Sequence, residues 1–560
     1  MRLTRGRRDD EPTAPQGPTP PAPSAPMAAP AAPERPDGAG TSPDADLAGG
    51  NLAGGGAPGG NVAGGGGPSG GIAASGGIAD TGAATADDGS PIARAFADQR
   101  SLFALLATVR TRRMGLGYRA ETGEAEELSW AGGHSAIQPD GPLHHRSSAQ
   151  PVPLSDEETA LVCWAAAGPN GLALADVPVQ GALAGMLHRR GRTVPSSSGD
   201  LGVDLFVVDD SGVWVYRPRP EPVQPVEIRG PQDYGKIMQW YRDGRVPVLD
   251  HRPDLPWPGS PEGTHNVRPI GAGQYNLNRP GSTWFLPVGD VGLEWFNQLL
   301  VSYEWSGFYL QDPDSGDPMG CGSWIRPGFL EVGFPLPAFD ELALMLHVGQ
   351  VGAMVQNIRL ACEALGLGAW TTGAYADDFV LGAYPEIAGG LGFDFLARDP
   401  ATNPAATATC LGRPGVIEPV VVPSPRFPDA ASAVRHVRSL REGPEGVLGG
   451  GGPWREQVAE EIRAHPRAHL SDWAEEAAIA TVDAVVAKYG CCPAYVSPVR
   501  AKLSVQAHHV DSSFYRRFFA AEGGADGITP QIAAHFANWH PGVPDPNAPP
   551  DPGPGAGAGA

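Results

Sequence analysis

The sequence predicts an α+β fold. Helical and β-rich segments alternate along the chain without the regular strand–helix–strand rhythm of a doubly wound parallel sheet. The runs LFVV and VWVY flank Asp-Asp-Ser-Gly, a pattern that predicts a β-hairpin. Residues 339–365 are apolar at helical spacing and predict a long central helix. The chain contains no Walker loop and no Gly-x-Gly-x-x-Gly motif between a strand and a helix, so the phosphate-loop nucleotide folds lack support.

The other elements follow similar cues. Residues 93–109 predict a helix that ends in a basic cluster. Ser155 is placed to cap a second helix, with Glu158 closing a capping box and Gly168-Pro169 ending it. Further strands are predicted at 282–291, 391–397 and 408–412, and further helices at 292–305, 430–442, 454–465 and 471–490.

Composition divides the 560 residues into parts. Residues 1–91 are mostly Pro, Ala, Gly, Ser and Asp, which predicts a disordered arm, and 544–560 predicts a disordered tail. We expect a sheet-containing unit over 92–423 and a mainly helical unit over 424–543. Within the first unit, residues 220–340 form a long insertion. Its Pro- and Gly-dense stretch 220–280 predicts an ordered excursion or a lid.

Charge and cysteine content narrow the function classes. The net charge of −22 argues against nucleic acid as the main partner, because phosphate binding needs a positive surface. No apolar run is long enough to span a bilayer, and the basic start lacks the apolar core of a signal peptide. The six cysteines are scattered, which suits a reducing compartment. We therefore expect a cytoplasmic protein that contacts neither membrane nor nucleic acid.

Three segments carry candidate binding residues. Arg110, Arg112 and Arg113 could grip a phosphate, or simply complement the dipole at the end of a helix. The turn Pro195-Ser196-Ser197-Ser198-Gly199 offers hydroxyl donors, or is a solvated turn. Residues 351–375 combine a tightly packed helix with a Thr-Thr-Gly turn, and form either ordinary core or one wall of a cofactor site.

The C-terminal part of the chain contains several potential metal ligands. His508 and Asp511 are three residues apart, so both could face one metal if they lay on a helix. His465, His469 and Cys491 precede them without zinc-like spacing. Capping or hydrogen-bonded core roles explain such residues more simply, and no metal is predicted.

Taken in chain order, these segments resemble the nitroreductase-like FMN-dependent flavoprotein superfamily. GAMVQNIRLACEALGLGAWTTGAY is similar to the family's central helix and the turn over the flavin, and RTVPSSSGDLGVDLFVVDDSGVWVYRP resembles its branch of azole-forming peptide dehydrogenases. The resemblance covers residues 95–415. It implies a nitroreductase-like fold with a central mixed, largely antiparallel sheet flanked by helices, here with a helical C-terminal extension. It also implies a homodimer.

The resemblance further implies an FMN site and a ping-pong hydride transfer through flavin N5, with no obligatory catalytic side chain. The substrate would be a small molecule or a peptide, with NAD(P)H as a candidate reductant. The implied contacts are to the phosphate, then the ribityl chain and pyrimidine edge, then the isoalloxazine ring: Arg112, Arg113 and Arg413; Pro195, Ser196, Ser197 and Ser198; Thr372, Gly373 and Ala374.

The chain departs from the family pattern at two positions. Met114 and Leu116 stand where the phosphate motif has a serine and an arginine. Two alternatives to a general FMN oxidoreductase therefore remain. One is a peptide-azole dehydrogenase, which needs a base pair such as Lys236 with Tyr241 or Tyr234. The other is a non-catalytic scaffold or interaction protein that keeps the fold without flavin.

Overall fold

The computed structural model describes residues 92, 101–120, 142–175, 185–218, 227–253, 255, 276–386, 388–403, 408–450, 454–519 and 526–548. Residues 1–91, the predicted disordered arm, lie outside this range. So do residues 549–560 of the predicted tail.

The elements are numbered in chain order. The helices are α1 (Leu102–Thr108), α2 (Asp156–Ala167), α3 (Pro231–Asp243), α4 (Val291–Val301), α5 (Leu336–Leu365), α6 (Asp377–Leu381), α7 (Ala430–Glu442), α8 (Glu456–Ala464), α9 (Asp472–Tyr489), α10 (Ser512–Phe518), α11 (Pro530–Ala533) and α12 (His535–Trp539). The strands are β1 (Pro169–Leu172), β2 (Arg190–Arg192), β3 (Val203–Asp209), β4 (Gly212–Tyr216), β5 (Arg245–Leu249), β6 (Thr283–Asp290), β7 (Phe308–Gln311), β8 (Val332–Pro335), β9 (Gly368–Thr372), β10 (Asp394–Ala397), β11 (Ala408–Gly412), β12 (Val499–Arg500) and β13 (Ser504–His508).

The fold is α+β, as the sequence predicted, and its centre is a seven-stranded sheet. Six strands follow the order β5-β4-β3-β6-β13-β9, and β12 pairs with β6 beside β13. Every pairing within this sheet is antiparallel. Val505 of β13 lies opposite Phe285 of β6 on one side and Thr371 of β9 on the other. The predicted C-terminal unit thus contributes a central strand to the sheet.

Side chains alternate between two apolar layers. Leu205 and Val207 of β3 point to the helix face, the sheet face covered by α2, α3 and α5. Phe206 and Val208 point to the opposite face, which is covered by α6 and the segment around 388–417. This period of two is the strand pattern read from LFVV, and it makes the sheet the middle layer of the molecule.

The predicted helix signals are confirmed at α2 and α5. Ser155 accepts the N–H of Glu158, and Glu158 Oε2 accepts the N–H of Ser155 at 2.6 Å, completing the capping box. Helix α5 ends at Gly366, whose φ of +80° is left-handed. A Cβ there would come 2.4 Å from the carbonyl oxygen of Gln531, so this position also needs glycine for space.

The later helices pack on α4 to form a second core. Val434 and Val437 of α7 and Ala477 and Val482 of α9 join Trp295 of α4 in one buried cluster. Their apolar faces match the amphipathic spacing in the sequence. The domain boundary at 424 stays a prediction, although residues on both sides of it share this cluster.

Two stretches differ from the sequence expectations. Within 220–280, the described residues include α3 and the sheet strand β5, which the Pro- and Gly-rich composition concealed. His508 and Asp511 would share one face on a helix, but His508 lies on strand β13. All six cysteines are buried free thiols. Among the described residues, no helix combines the length and apolar character needed to cross a bilayer.

Candidate functional site

The serine turn, residues 195–199, lies between β2 and β3 at one end of the central sheet. Ser196 Oγ accepts the N–H of Asp200 and donates to its Oδ1, both at 2.8 Å. Gly199 has a φ of +54°, the left-handed conformation that favours glycine. Pro195 and Ser197 stay exposed, so the turn is braced from within and presents these two residues to solvent.

Side chains of helices α4 and α5 fix the turn by hydrogen bonds. Ser198 is buried and donates to Glu294 Oε1 at 3.1 Å, and Gln298 Nε2 donates to Ser198 Oγ at 3.1 Å. From α5, Gln350 Nε2 donates to Asp200 Oδ1 at 2.8 Å. Side chains from two helices therefore fix its position relative to the sheet.

Glu294 is a proton-holding group beneath the turn. Burial, with the charge of Asp200 beside it, raises the pKa of Glu294 to about 8. The carboxyl is therefore mainly protonated at neutral pH, and it can keep a proton within the polar network of Ser198 and Gln298.

A cavity of about 620 Å³ opens beside the serine turn, and we call it the serine-turn cavity. Two serines and two arginines are among its lining residues, namely Ser196, Ser197, Arg190 and Arg192. Leu172 and other apolar residues form most of the remaining wall, together with Asn170 and the acidic residue Glu227. Its size and its mixture of apolar walls with a few polar groups are typical of small-molecule sites.

The two cavity arginines have hydrogen-bonding capacity to spare. Arg190 forms a salt bridge with Glu445, yet its buried Nε has no hydrogen-bond partner among the described residues. Arg192 donates to the carbonyl oxygen of Val203 at 2.9 Å. Burial lowers the pKa of Arg192, and the charges of Asp204 and Asp200 act against this effect. An anionic ligand would complement both groups.

Arg112, predicted as a phosphate ligand, points into the protein. Its Nη1 donates to Glu363 Oε2 at 2.6 Å, and its Nε donates to the carbonyl oxygen of Gly527 at 2.6 Å. Its Nη2 donates to the carbonyl oxygen of Thr108, and the residue is buried. Arg112 is therefore not presented to a ligand in this arrangement.

Arg113 lies apart from Arg112. Its guanidinium carbon is 4.2 Å from the ring centroid of Trp370, on the opposite face of the sheet. Met114 and Leu116 are buried, Met114 among aromatic residues that include Phe514. The positions that departed from the phosphate motif thus serve packing, and the two arginines do not form one cradle.

The predicted ring-contacting residues lie at the end of β9. Thr372 is buried opposite Ser504 of β13, and Ala374 is exposed. A Cβ on Gly373 would come 2.9 Å from the carbonyl oxygen of Lys502, so a larger side chain would crowd the neighbouring chain.

The strand register decides which predicted residues share an end of the sheet. Val203 lies opposite Gly289, whereas Thr371 lies level with Phe285 through Val505. Since β9 runs parallel to β6, the residues after Thr371 approach the end where the serine turn enters β3. Three strand spacings, roughly 14 Å, separate β3 from β9.

Arg112 lies at the other end of the sheet. Its N–H donates to the carbonyl oxygen of Ala369 near the start of β9, level with the start of β6. The offset from the serine turn is about 20 Å along the strands. One chain therefore does not bring Arg112 to the serine turn.

Arg413 lies on the opposite face of the sheet, at the edge formed by β5. It donates to the carbonyl oxygens of Leu391 at 2.6 Å and Val248 at 2.9 Å. Strands β5 and β9 are the two edges of the sheet, five spacings or roughly 24 Å apart. Arg413 therefore links two loops by hydrogen bonds. It does not lie with Arg112 and Arg113, which contact β9.

The predicted Lys-Tyr pair is also dispersed. Lys236 pairs with Asp233, and Tyr241 donates to Asp156 Oδ1 at 2.9 Å. Neither they nor Tyr234 line the serine-turn cavity. Among the described residues, the predicted catalytic Lys-Tyr pair is therefore not found at this cavity.

The C-terminal residues considered for a metal do not converge. His508 is buried on β13, where burial lowers its pKa to about 3. Asp511 caps α10 and accepts from His145 at 2.9 Å. His469 lies 2.7 Å from the carbonyl oxygen of Arg463, and Cys491 donates to that of Pro493.

A different group of histidines does converge, and the sequence reasoning missed it. Glu158, His509, His535 and His540 bring one ligand atom each to within 4.8 Å of the others. His509 directly follows His508 in the chain. The signal that could have found the rest is the pair of histidines five residues apart near the C-terminus.

Comparison with known proteins gives distant likenesses among solved structures. No family model matches the sequence, and no curated protein matches it. A solved structure of a "putative nitroreductase" from Ralstonia eutropha JMP134 is similar over 50% of this chain and 72% of its own length, with 14% sequence identity and a TM-score of 0.20. A TM-score this low carries no argument, so the fold class rests on the sheet and helices described above.

Proposed function

We propose that this chain is an FMN-dependent oxidoreductase whose flavin binds in the serine-turn cavity. The observation that carries the proposal is that two arginines, Arg190 and Arg192, line the same cavity as Ser196 and Ser197, beside an apolar wall. FMN presents matching groups, namely a phosphate, a hydroxylated chain and a flat apolar ring. The unpartnered Nε of Arg190 supports the fit.

The residues would divide the work. Arg190 and Arg192 would hold the anionic group, and Ser196 and Ser197 would orient the hydroxylated chain. Glu294 would keep a proton beneath the turn because its pKa is raised to about 8. When bound, FMN supplies hydride acceptance and donation. Thr372, Gly373 and Ala374 remain proposed ring contacts, since they lie where β9 ends, at the same end of the sheet as the serine turn.

The apolar surface of α1 and α5 favours a homodimer. No residue of α1 is buried, and its Phe103 is 81% exposed. On α5, Leu342, Met345 and Val348 are exposed at intervals of three residues, and Met345 is 62% exposed. Such apolar residues on neighbouring elements are typical of an interface.

Flavin binding tests the proposal directly. We expect the purified protein to show flavin absorbance, or to quench the fluorescence of added FMN at one equivalent per chain. Arg190→Gln should weaken FMN binding by about 10-fold or more, because a charge-assisted hydrogen bond contributes about 1.5–3 kcal/mol. Arg435→Gln is the matched control, because Arg435 also pairs with a carboxylate, that of Glu475, but lies outside the cavity lining.

A non-catalytic scaffold is the second candidate. It is favoured by the burial of Arg112 and by the packing roles of Met114 and Leu116, which remove the expected phosphate cradle. A colourless protein that ignores added FMN would support the scaffold and exclude both flavin-dependent readings. The peptide-azole dehydrogenase has no comparable support, since Lys236 and Tyr241 bond elsewhere.

A further inference from the structure

Four potential metal ligands from three segments converge beside α2. Glu158 comes from the first turn of α2, His509 directly follows β13, and His535 and His540 bracket α12. We propose that this group, the three-histidine cluster, is a structural zinc site. The proposal does not depend on flavin binding.

The distances suit a tetrahedral ion. Oε1 of Glu158 lies 2.9 Å from Nε2 of His535, 3.3 Å from that of His540 and 3.4 Å from that of His509. The Nε2 atoms of His509 and His540 are 3.1 Å apart. Zinc bonds to nitrogen and oxygen of about 2.0–2.2 Å give tetrahedral edges of about 3.3–3.6 Å. Four of the six ligand–ligand distances therefore lie within about 0.4 Å of these edges, and the other two, from His535 to His509 and His540, are within 4.8 Å.

Backbone carbonyls set the protonation of two histidines. Nδ1 of His509 is 2.9 Å from the carbonyl oxygen of Val152, and Nδ1 of His535 is 2.8 Å from that of Leu365. Because a carbonyl only accepts, each Nδ1 carries the hydrogen and each neutral ring keeps a lone pair on Nε2. Metal-bound histidines are held in this way by a second layer of acceptors.

The lone pair of His535 lacks a donor. Its Nε2 is buried and forms no hydrogen bond within the described residues, although it lies 2.9 Å from Glu158 Oε1. Two acceptors at that distance would repel each other, so this pair needs either a proton on Nε2 of His535 or a metal cation between the two atoms. Oε2 of Glu158 already accepts the N–H of Ser155, which leaves Oε1 as a single metal donor.

Three imidazole nitrogens and one carboxylate oxygen fill a tetrahedral shell. This donor set suits zinc, and the absence of an open position among the four protein ligands is typical of a structural site. The ion would join α2 to the segments on both sides of α11. It would thereby clamp the C-terminal part of the chain onto the helix face.

Metal content of the untagged full-length protein tests the site. We expect one zinc per chain by inductively coupled plasma mass spectrometry, either as purified or after chelator treatment and dialysis against zinc chloride. Cobalt(II) added in place of zinc should give the intense visible absorption of tetrahedral coordination. This measurement needs no variant, so it decides the proposal even if ligand substitutions impair folding.

Variants locate the zinc. His540→Gln and Glu158→Gln should each weaken zinc binding by more than about 10-fold. His145→Gln is the matched control, because His145 is another buried histidine, 2.9 Å from the carboxylate of Asp511, outside the cluster. Substoichiometric zinc in the reconstituted wild-type protein would overturn the proposal. So would a different stoichiometric metal, or unchanged zinc affinity in His540→Gln.

Discussion

At the residue scale, Glu294 should make stability depend on pH. Its pKa is raised from 4.5 to about 8, chiefly by burial. The unfolded carboxyl ionises above its ordinary pKa while the folded one stays neutral, so its stabilisation is complete below pH 4.5 and is lost as pH rises towards 8. Glu294→Gln cannot ionise and should escape this loss.

Urea unfolding of both proteins between pH 5.5 and 8 measures the effect. We expect the wild type to lose roughly 1–3 kcal/mol more than Glu294→Gln over this range, since one pKa unit corresponds to about 1.4 kcal/mol. Glu475→Gln is the control, because Arg435 and Arg438 lower the pKa of Glu475, so its stabilisation is complete above pH 4.5 and does not change between pH 5.5 and 8. Parallel pH profiles of wild type and Glu294→Gln would contradict the assignment.

The sequence alone could predict contacts between residues close together in the chain, but not contacts between distant residues. Ser155 and Glu158 were predicted as a capping box because both groups lie within one turn. Glu158 also faces histidines more than three hundred residues away, and no local pattern indicates that. Arg112 likewise meets Glu363 only through the docking of β9 beside α5. Long-range pairing thus limited the site prediction more than local chemistry did.

At the element scale, the apolar surface of α1 and α5 should govern oligomeric state. We expect the wild type to sediment as a dimer, because burying a residue as exposed as Phe103 (81%) removes apolar area from water. Phe103→Glu and Met345→Glu should shift the protein to a monomer without lowering its thermal stability. Both side chains are exposed within one chain, so the change should affect association alone.

A control separates association from general surface effects. Leu396→Glu, on β10, introduces the same charge at another exposed apolar position, 38% exposed, away from α1 and α5. It should leave the dimer intact. A wild-type monomer at all accessible concentrations, or a dimer insensitive to Phe103→Glu, would exclude this surface as the interface.

Elements with strong periodicity or capping signals were predictable, and those defined by pairing were not. The β3–β4 hairpin, β6 and helices α2, α4, α5, α7 and α9 were all predicted. The sequence did not predict strand β13, since His508 and Asp511 are spaced so that they would share one face only on a helix. Its burial on both sides removes the alternation that marks a half-exposed strand. Strand β5, at the edge, was hidden by surrounding prolines.

At the scale of the whole molecule, β13 joins parts of the chain that composition separates. Gln506 at its centre is buried, and its Nε2 donates to the carbonyl oxygen of Asn276 at 2.6 Å. Its Oε1 accepts the N–H of Asn278 at 2.6 Å. A polar side chain satisfied this fully fixes the strand relative to the segment before β6. The sheet is therefore complete only when residues from both predicted units are present.

This dependence predicts the behaviour of a truncated chain. A protein ending at residue 423 would leave β6 and β9 without the strand that both pair with, and would expose the apolar layers that Val505 and Ala507 help to fill. We expect it to lack a cooperative urea transition, whereas residues 92–560 should unfold in a single step. Coexpressing 424–560 with the truncated chain should restore folding if the strand is the missing part. Independent cooperative unfolding of 92–423 would instead establish the boundary at 424 as a true domain border.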